Sequence, residues 1–107
     1  VHYPGLPIHP LHHVAKQQMS MFGCVLSLEL PTQDAAMLFT GALKMALRAT
    51  SLGGTETLVE HRASIEPEGR VVSPPGLLRV SVGLEDPQDL LEDFSRALDT
   101  ARLNHEA

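Results

Sequence analysis

There is no tryptophan in this chain of 107 residues, and only one tyrosine and three phenylalanines. With so few rings, any core has to be mainly aliphatic. Basic residues are also scarce: 8 Lys and Arg stand against 13 Asp and Glu, for a formal net charge of −5. No cluster of Lys or Arg occurs, which argues against a nucleic-acid surface and against binding to an anionic membrane. A small anionic ligand remains open, because one well-held arginine binds a carboxylate whatever the net charge. The lone cysteine, Cys24, has no partner for an internal disulfide, which points to a reducing, cytoplasmic setting. No run of about 18 apolar residues is present, so no membrane-spanning helix is expected. The opening Val1-His2-Tyr3-Pro4-Gly5 has neither an initiator methionine nor a signal-peptide run, so the chain is expected to be a piece of a longer protein.

What is there reads as one small globular domain, 43% apolar and 20% charged. Pro4, Gly5 and Pro7 make residues 1–9 an irregular lead-in. Pro10 suits the first position of a short helix to about Met19. Gly23 to Leu30 alternates as a strand, with Cys24, Leu26, Leu28 and Leu30 on one face and Val25, Ser27 and Glu29 on the other. On that apolar face Cys24 is expected to be buried. Pro31 ends the strand, and Thr32 or Asp34 can cap the next helix. Ala35, Leu38, Phe39, Ala42, Leu43, Ala46 and Leu47 form a stripe at helical spacing, which predicts a helix over 34–48. Ser51-Leu52-Gly53-Gly54 is a turn, Thr57 to His61 a short strand, and residues 62–76, with three prolines and two glycines, a loop. Leu77 to Val82 is a strand whose Leu78, Val80 and Val82 point one way and Leu77, Arg79 and Ser81 the other. Asp86 as cap, Pro87 at the first helical position and acidic Asp89 in the first turn open the last helix, near 87–102. Leu90, Leu91, Phe94, Ala97, Leu98 and Ala101 are its expected buried stripe. This order predicts an α/β sandwich of the α+β type, a small, mainly antiparallel sheet with helices on one face.

Three constellations could carry chemistry. His9, His12 and His13 cluster where a metal could bind on spacing alone, but no cysteine or carboxylate lies nearby, and a solvated helix start accounts for them better. In Ser51-Leu52-Gly53-Gly54-Thr55-Glu56-Thr57, two glycines let backbone approach a ligand closely and hydroxyls offer hydrogen bonds. By itself this motif reads first as a plain turn. Arg79, fixed mid-strand, suits bidentate recognition of a carboxylate. A surface arginine or a structural ion pair, for instance with Glu29, fits the same position.

The chain resembles the trans-sulfuration family of pyridoxal-phosphate enzymes, which act in cysteine and methionine metabolism. The family's V-x-Y-P-G-L, H-P-x-H, A-K-x-Q-M and F-G-x-x-x-S runs correspond to Val1, Tyr3-Pro4-Gly5-Leu6, His9-Pro10, His12, Ala15-Lys16, Gln18-Met19, Phe22-Gly23 and Ser27. Its S-L-G-G-x-E-T-L corresponds to Ser51 through Leu58. Its L-x-R-x-S-V-G-x-E-D corresponds to Leu77, Arg79, Ser81-Val82-Gly83 and Glu85-Asp86. Its D-L-x-x-D-x-x-x-A-L corresponds to Asp89-Leu90, Asp93 and Ala97-Leu98. The likeness runs in order along nearly the whole chain.

The resemblance implies that residues 1–107 are the C-terminal, substrate-recognising domain of a fold-type I enzyme. It implies that Arg79 binds the substrate α-carboxylate, with Ser51 and Leu52 of the turn beside it. Pyridoxal phosphate, its Schiff-base lysine and the other catalytic residues are then expected in an upstream domain. The only lysines here, Lys16 and Lys44, both fall in predicted helices and outside the family's lysine motif. This piece alone is expected to be inactive, with no metal. The complete protein is expected to be a homotetramer that catalyses γ-elimination from cystathionine or a related sulfur amino acid. γ-Replacement, as by a cystathionine γ-synthase or O-acyl-homoserine sulfhydrylase, is the alternative. A free-standing, non-catalytic α/β binding module is the rival from another class. Two departures bear on the reaction. Many members follow the E-T-L strand with H-P-x-x-M-T-H and a longer loop, where this chain has His61-Arg62-Ala63-Ser64-Ile65-Glu66. Thr50 stands where some γ-lyases and γ-synthases have Glu.

Overall fold

The four strands of the sheet run in the order β1-β4-β3-β2, where β1 is Val25–Glu29, β2 Leu47–Arg48, β3 Leu58–His61 and β4 Leu77–Ser81. The computed structural model describes residues 1–106, with side chains through Arg102. The central strand β4 is antiparallel to both β1 and β3, and only the two-residue β2 runs parallel, beside β3. Among the described residues, four helices complete the fold: α1 at His12–Gln18, α2 at Gln33–Ala42, α3 at Arg62–Ile65 and α4 at Pro87–Glu106. None of the described helices is long and apolar enough to cross a membrane.

The expected sandwich is present. Strand alternation turns Leu78 and Val80 of β4 and Val59 of β3 to one face, where all three are fully buried. Leu26 and Leu28 of β1 pack beside them, and α2 and α4 cover that face with Ala36, Phe39, Ala97 and Ala101. The rings of Phe39 and Phe94 meet edge to face at 5.6 Å and 88°. Burying Phe39 or Leu78 contributes about 1.5–3 kcal/mol each. The helix starts follow the predicted caps. Thr32 Oγ1 accepts the Ala35 N–H at 3.1 Å. Asp86 Oδ1 accepts the Gln88 and Asp89 N–H groups at 2.8 and 3.3 Å.

Several expectations are corrected. The helix predicted over 34–48 stops at Ala42. The Lys44, Met45 and Ala46 N–H groups donate instead to the Asp93 carboxylate of α4, at 2.8, 3.0 and 3.0 Å. Charge-assisted bonds outcompete the neutral carbonyls of a further helical turn, and Arg96 Nη1 takes the orphaned Ala42 carbonyl at 3.2 Å. Leu47 N–H then bonds the Thr57 carbonyl at 3.0 Å, so the last residues of the predicted stripe become β2. Leu91 and Leu98 on α4 are exposed, at 64% and 40%. The contact line runs through Leu90, Phe94, Ala97 and Ala101, and the exposed leucines sit roughly 70–90° off it. Cys24 is exposed rather than buried, because it precedes β1, beyond the helices' cover. The first helix begins at His12, two residues past Pro10. The loop 62–76 contains the single turn α3. Within the lead-in, His2 exchanges both backbone bonds with Ser27 at 2.8 and 3.0 Å, which covers the open edge of β1.

Candidate functional site

Because Leu78 and Val80 turn inward, Arg79 and Ser81 must turn to the opposite face of the sheet. The register sets Glu60 of β3 and Ser27 of β1 on either side of Arg79. Arg79 Nη2 lies 2.9 Å from Glu60 Oε2, and also donates to the Thr50 carbonyl at 3.2 Å. Arg62, at the start of α3, reaches the same Glu60 Oε2 with Nη1 at 3.0 Å. The Glu60 side chain is only 3% exposed, whereas Arg79 keeps 21% and Arg62 32% of their side-chain surface open. A buried carboxylate thus lies between two partly open guanidiniums, and this group of three carries one net positive charge.

The glycine turn is fastened to the same strand at two points. One is the Thr50 carbonyl on Arg79. The other is the Gly53 N–H, which donates to Ser81 Oγ at 2.8 Å, with Gly53 at a φ of 76° that suits glycine. Ser51 and Leu52 lie between these anchors and are exposed. The structure therefore brings the predicted residues Arg79, Ser51 and Leu52 into one neighbourhood. An open depression of about 560 Å³ adjoins it, lined in part by Gly53, Gly54, Gly83 and Cys24.

The partner of Arg79 differs from the one considered on sequence. Glu29 contacts His2 Nε2 at 3.3 Å, and Glu60 takes Arg79. Sequence reasoning set Ser81 on the face of Arg79 but missed Glu60, Arg62 and the Thr50 carbonyl as members of this neighbourhood. The short strand read at Thr57 to His61 carries a signal for this, since Glu60 must face away from Val59, but its pairing with Arg79 depends on strand register, which the sequence does not display.

Other polar groups are tied into structure. His61 is 2% exposed; its Nε2 lies 2.6 Å from the Pro75 carbonyl, and its Nδ1 meets Ser64 Oγ. A carbonyl only accepts, so Nε2 donates to Pro75, and the Ser64 hydroxyl can serve Nδ1 as donor or acceptor. His12 Nδ1 faces the Pro4 carbonyl at 2.7 Å, with its ring beside Phe22, and His9 Nδ1 accepts the Leu11 N–H at 3.1 Å. Glu66 accepts the Val72 and Ser73 N–H groups at 2.9 and 3.1 Å and the Ser73 hydroxyl. The Ser73 hydroxyl and amide bonds hold its carboxyl below the usual range. This departure from the family pattern thus closes the loop that leads into β4.

Residues 1–99 match the model of a family described as Cys/Met metabolism PLP-dependent enzyme. The chain is similar to a cystathionine beta-lyase of Lactococcus lactis subsp. cremoris, 44% identical over 92% of this chain and 28% of that protein. It is similar to a cystathionine gamma-lyase of Bacillus subtilis, 40% identical over 92% of this chain and 28% of that protein. Among solved structures, it superposes on metB from Corynebacterium glutamicum with a TM-score of 0.84 and 40% identity, covering 91% of this chain and 26% of that one. The chain spans about a quarter of the length of the curated relatives it matches.

Proposed function

Since the chain belongs to the Cys/Met metabolism PLP-dependent enzyme family, we propose that it is the C-terminal, substrate-recognising domain of a C–S lyase acting on sulfur amino acids. In this reading Arg79 holds the substrate α-carboxylate, and Ser51 and Leu52 of the adjoining turn line its place. The reaction is γ-elimination from cystathionine or a close analogue. The observation that carries the reading is the pinning of Arg79 beside the glycine turn, partly open, in a group where two guanidiniums share one carboxylate. A guanidinium held this way recognises a carboxylate with little ordering on binding.

Pyridoxal phosphate supplies the electron sink for such chemistry when bound. The described residues do not fit it. Lys16 and Lys44 are both exposed, and Lys44 borders an open cleft with Asp89, Glu92 and Asp93, whose carboxylates repel a phosphate ester. The proposal therefore assigns the cofactor and its lysine to an upstream domain of the same protein.

The test is Arg79→Ala in the complete enzyme, measured by steady-state kinetics and thermal melting on one preparation. Losing a water-excluded carboxylate pair costs about 2–5 kcal/mol, so catalytic efficiency should fall by roughly two to three orders of magnitude. Cofactor loading should be unchanged. Arg79→Lys should rescue only in part, because a point charge lacks the fork. Near-normal efficiency with a lowered melting temperature would show that Arg79 merely neutralises Glu60.

A further inference from the structure

We propose that Arg62 is a positioning residue for this carboxylate site, keeping Glu60 neutralised while Arg79 turns to the substrate. The inference deepens the preceding reading and rests on it. It begins from what already crowds Arg79. Nη2 donates to the Thr50 carbonyl at 3.2 Å, and Glu60 Oε2 lies 2.9 Å from the same nitrogen as an ion-pair contact. Either two-point face of a guanidinium, end-on or side-on, includes this nitrogen. A carboxylate that binds Arg79 bidentately must therefore come to the nitrogen that Glu60 already faces.

Charge decides what that approach costs. With the substrate carboxylate in place, the site holds two anions, the substrate and Glu60. Arg79 alone would face both, and Glu60, at 3% exposure, has little water to screen it. Arg62 changes this balance. It contacts the same Oε2 from the other side, at 3.0 Å against 2.9 Å for Arg79. Glu60 therefore keeps a cationic partner when Arg79 is drawn away, and the loaded site holds two guanidiniums for two carboxylates. Arg62 needs no contact with substrate to act; it acts through Glu60 on Arg79.

The experiment compares R62Q, R62K, E60Q, the double variant R62Q/E60Q and R79A in the complete enzyme, with L-cystathionine as the probe. In R62Q, KM should rise about three- to tenfold while kcat stays within about twofold, the pattern of lost binding that is uniform through the reaction. R62K should recover most of the KM, since a point charge suffices for neutralisation. Removing the second anion should remove the need for Arg62, so R62Q/E60Q should show a lower KM than R62Q. Melting temperatures on the same samples separate this from a fold defect, which would not be relieved by E60Q. If R79A is crippled but R62Q leaves KM unchanged, or if E60Q fails to relieve R62Q, the role of Arg62 is overturned and the carboxylate reading stands. If R79A behaves as the unaltered protein, or the unaltered protein does not turn over L-cystathionine, both fall.

Discussion

Asp93 does more for this fold than its place on a surface helix suggests. It is 5% exposed, it accepts three consecutive N–H groups after α2, and it pairs with Arg96. Burial opposes its ionisation, but the bonds from Lys44 N–H, Arg96, Ala46 N–H and Met45 N–H outweigh this and bring the carboxyl down to about 2, from 3.8. A carboxyl with a depressed folded-state pKa stabilises the fold above its unfolded value, and that stability fades as pH falls toward the folded value. The contribution of Asp93 should therefore be complete above about pH 4 and lost by about pH 2, and amount to roughly 2 kcal/mol. Asp93→Asn presents an amide that cannot accept three donors. The expected outcome is a melting temperature lowered by several degrees at pH 7, with a smaller gap from the unaltered protein near pH 2. An equal gap at both pH values would show that shape, not charge, matters here.

At the scale of elements, the turn before β4 joins the sheet through close backbone contact. A Cβ on Gly76 would lie 1.9 Å from the Leu30 carbonyl oxygen and 2.8 Å from its carbon. The Leu30 N–H and Gly76 carbonyl meet across this gap at 2.9 Å, linking the end of β1 to the start of β4. Gly76→Ala must push these strands apart and should destabilise the protein by at least about 2 kcal/mol, read by urea or thermal unfolding. Unchanged stability would mean that the loop before β4 shifts freely. The helix caps and β1, β3 and β4 were legible in the sequence: the caps from Thr32 and from Asp86 with Pro87, β1 and β4 from period-two alternation around Leu26 and Val80, and β3 as a short run after the glycine turn. The end of α2 was not, because the stripe through Ala46 and Leu47 continued and the competing acceptor, Asp93, lies about fifty residues away.

For the whole molecule, the central question is what this stretch does without the rest. Neither lysine stands in a pocket that suits an anionic cofactor, and the acidic cleft beside Lys44 repels one. Incubated with low-micromolar pyridoxal phosphate, the isolated chain should show no saturable, stoichiometric absorbance change. Stoichiometric loading would place a cofactor lysine within these residues and overturn the division into domains proposed above. The sheet face bearing Arg79 and Glu60 is the one the two long helices leave uncovered, so it is the face available to the upstream domain proposed above.

The sequence by itself determined the family, the sandwich and the outward direction of Arg79, since motif order, alternation and caps are properties of neighbours along the chain. It also placed Ser51, Leu52 and Arg79 together, through the resemblance. Only the tertiary structure decided which carboxylate faces Arg79, that Arg62 shares it, that α2 stops at Ala42 and that Cys24 is exposed. Each of these depends on strand register or on a contact between residues far apart in the chain. Such pairings are set by how the elements pack together, and no local pattern of side chains records them.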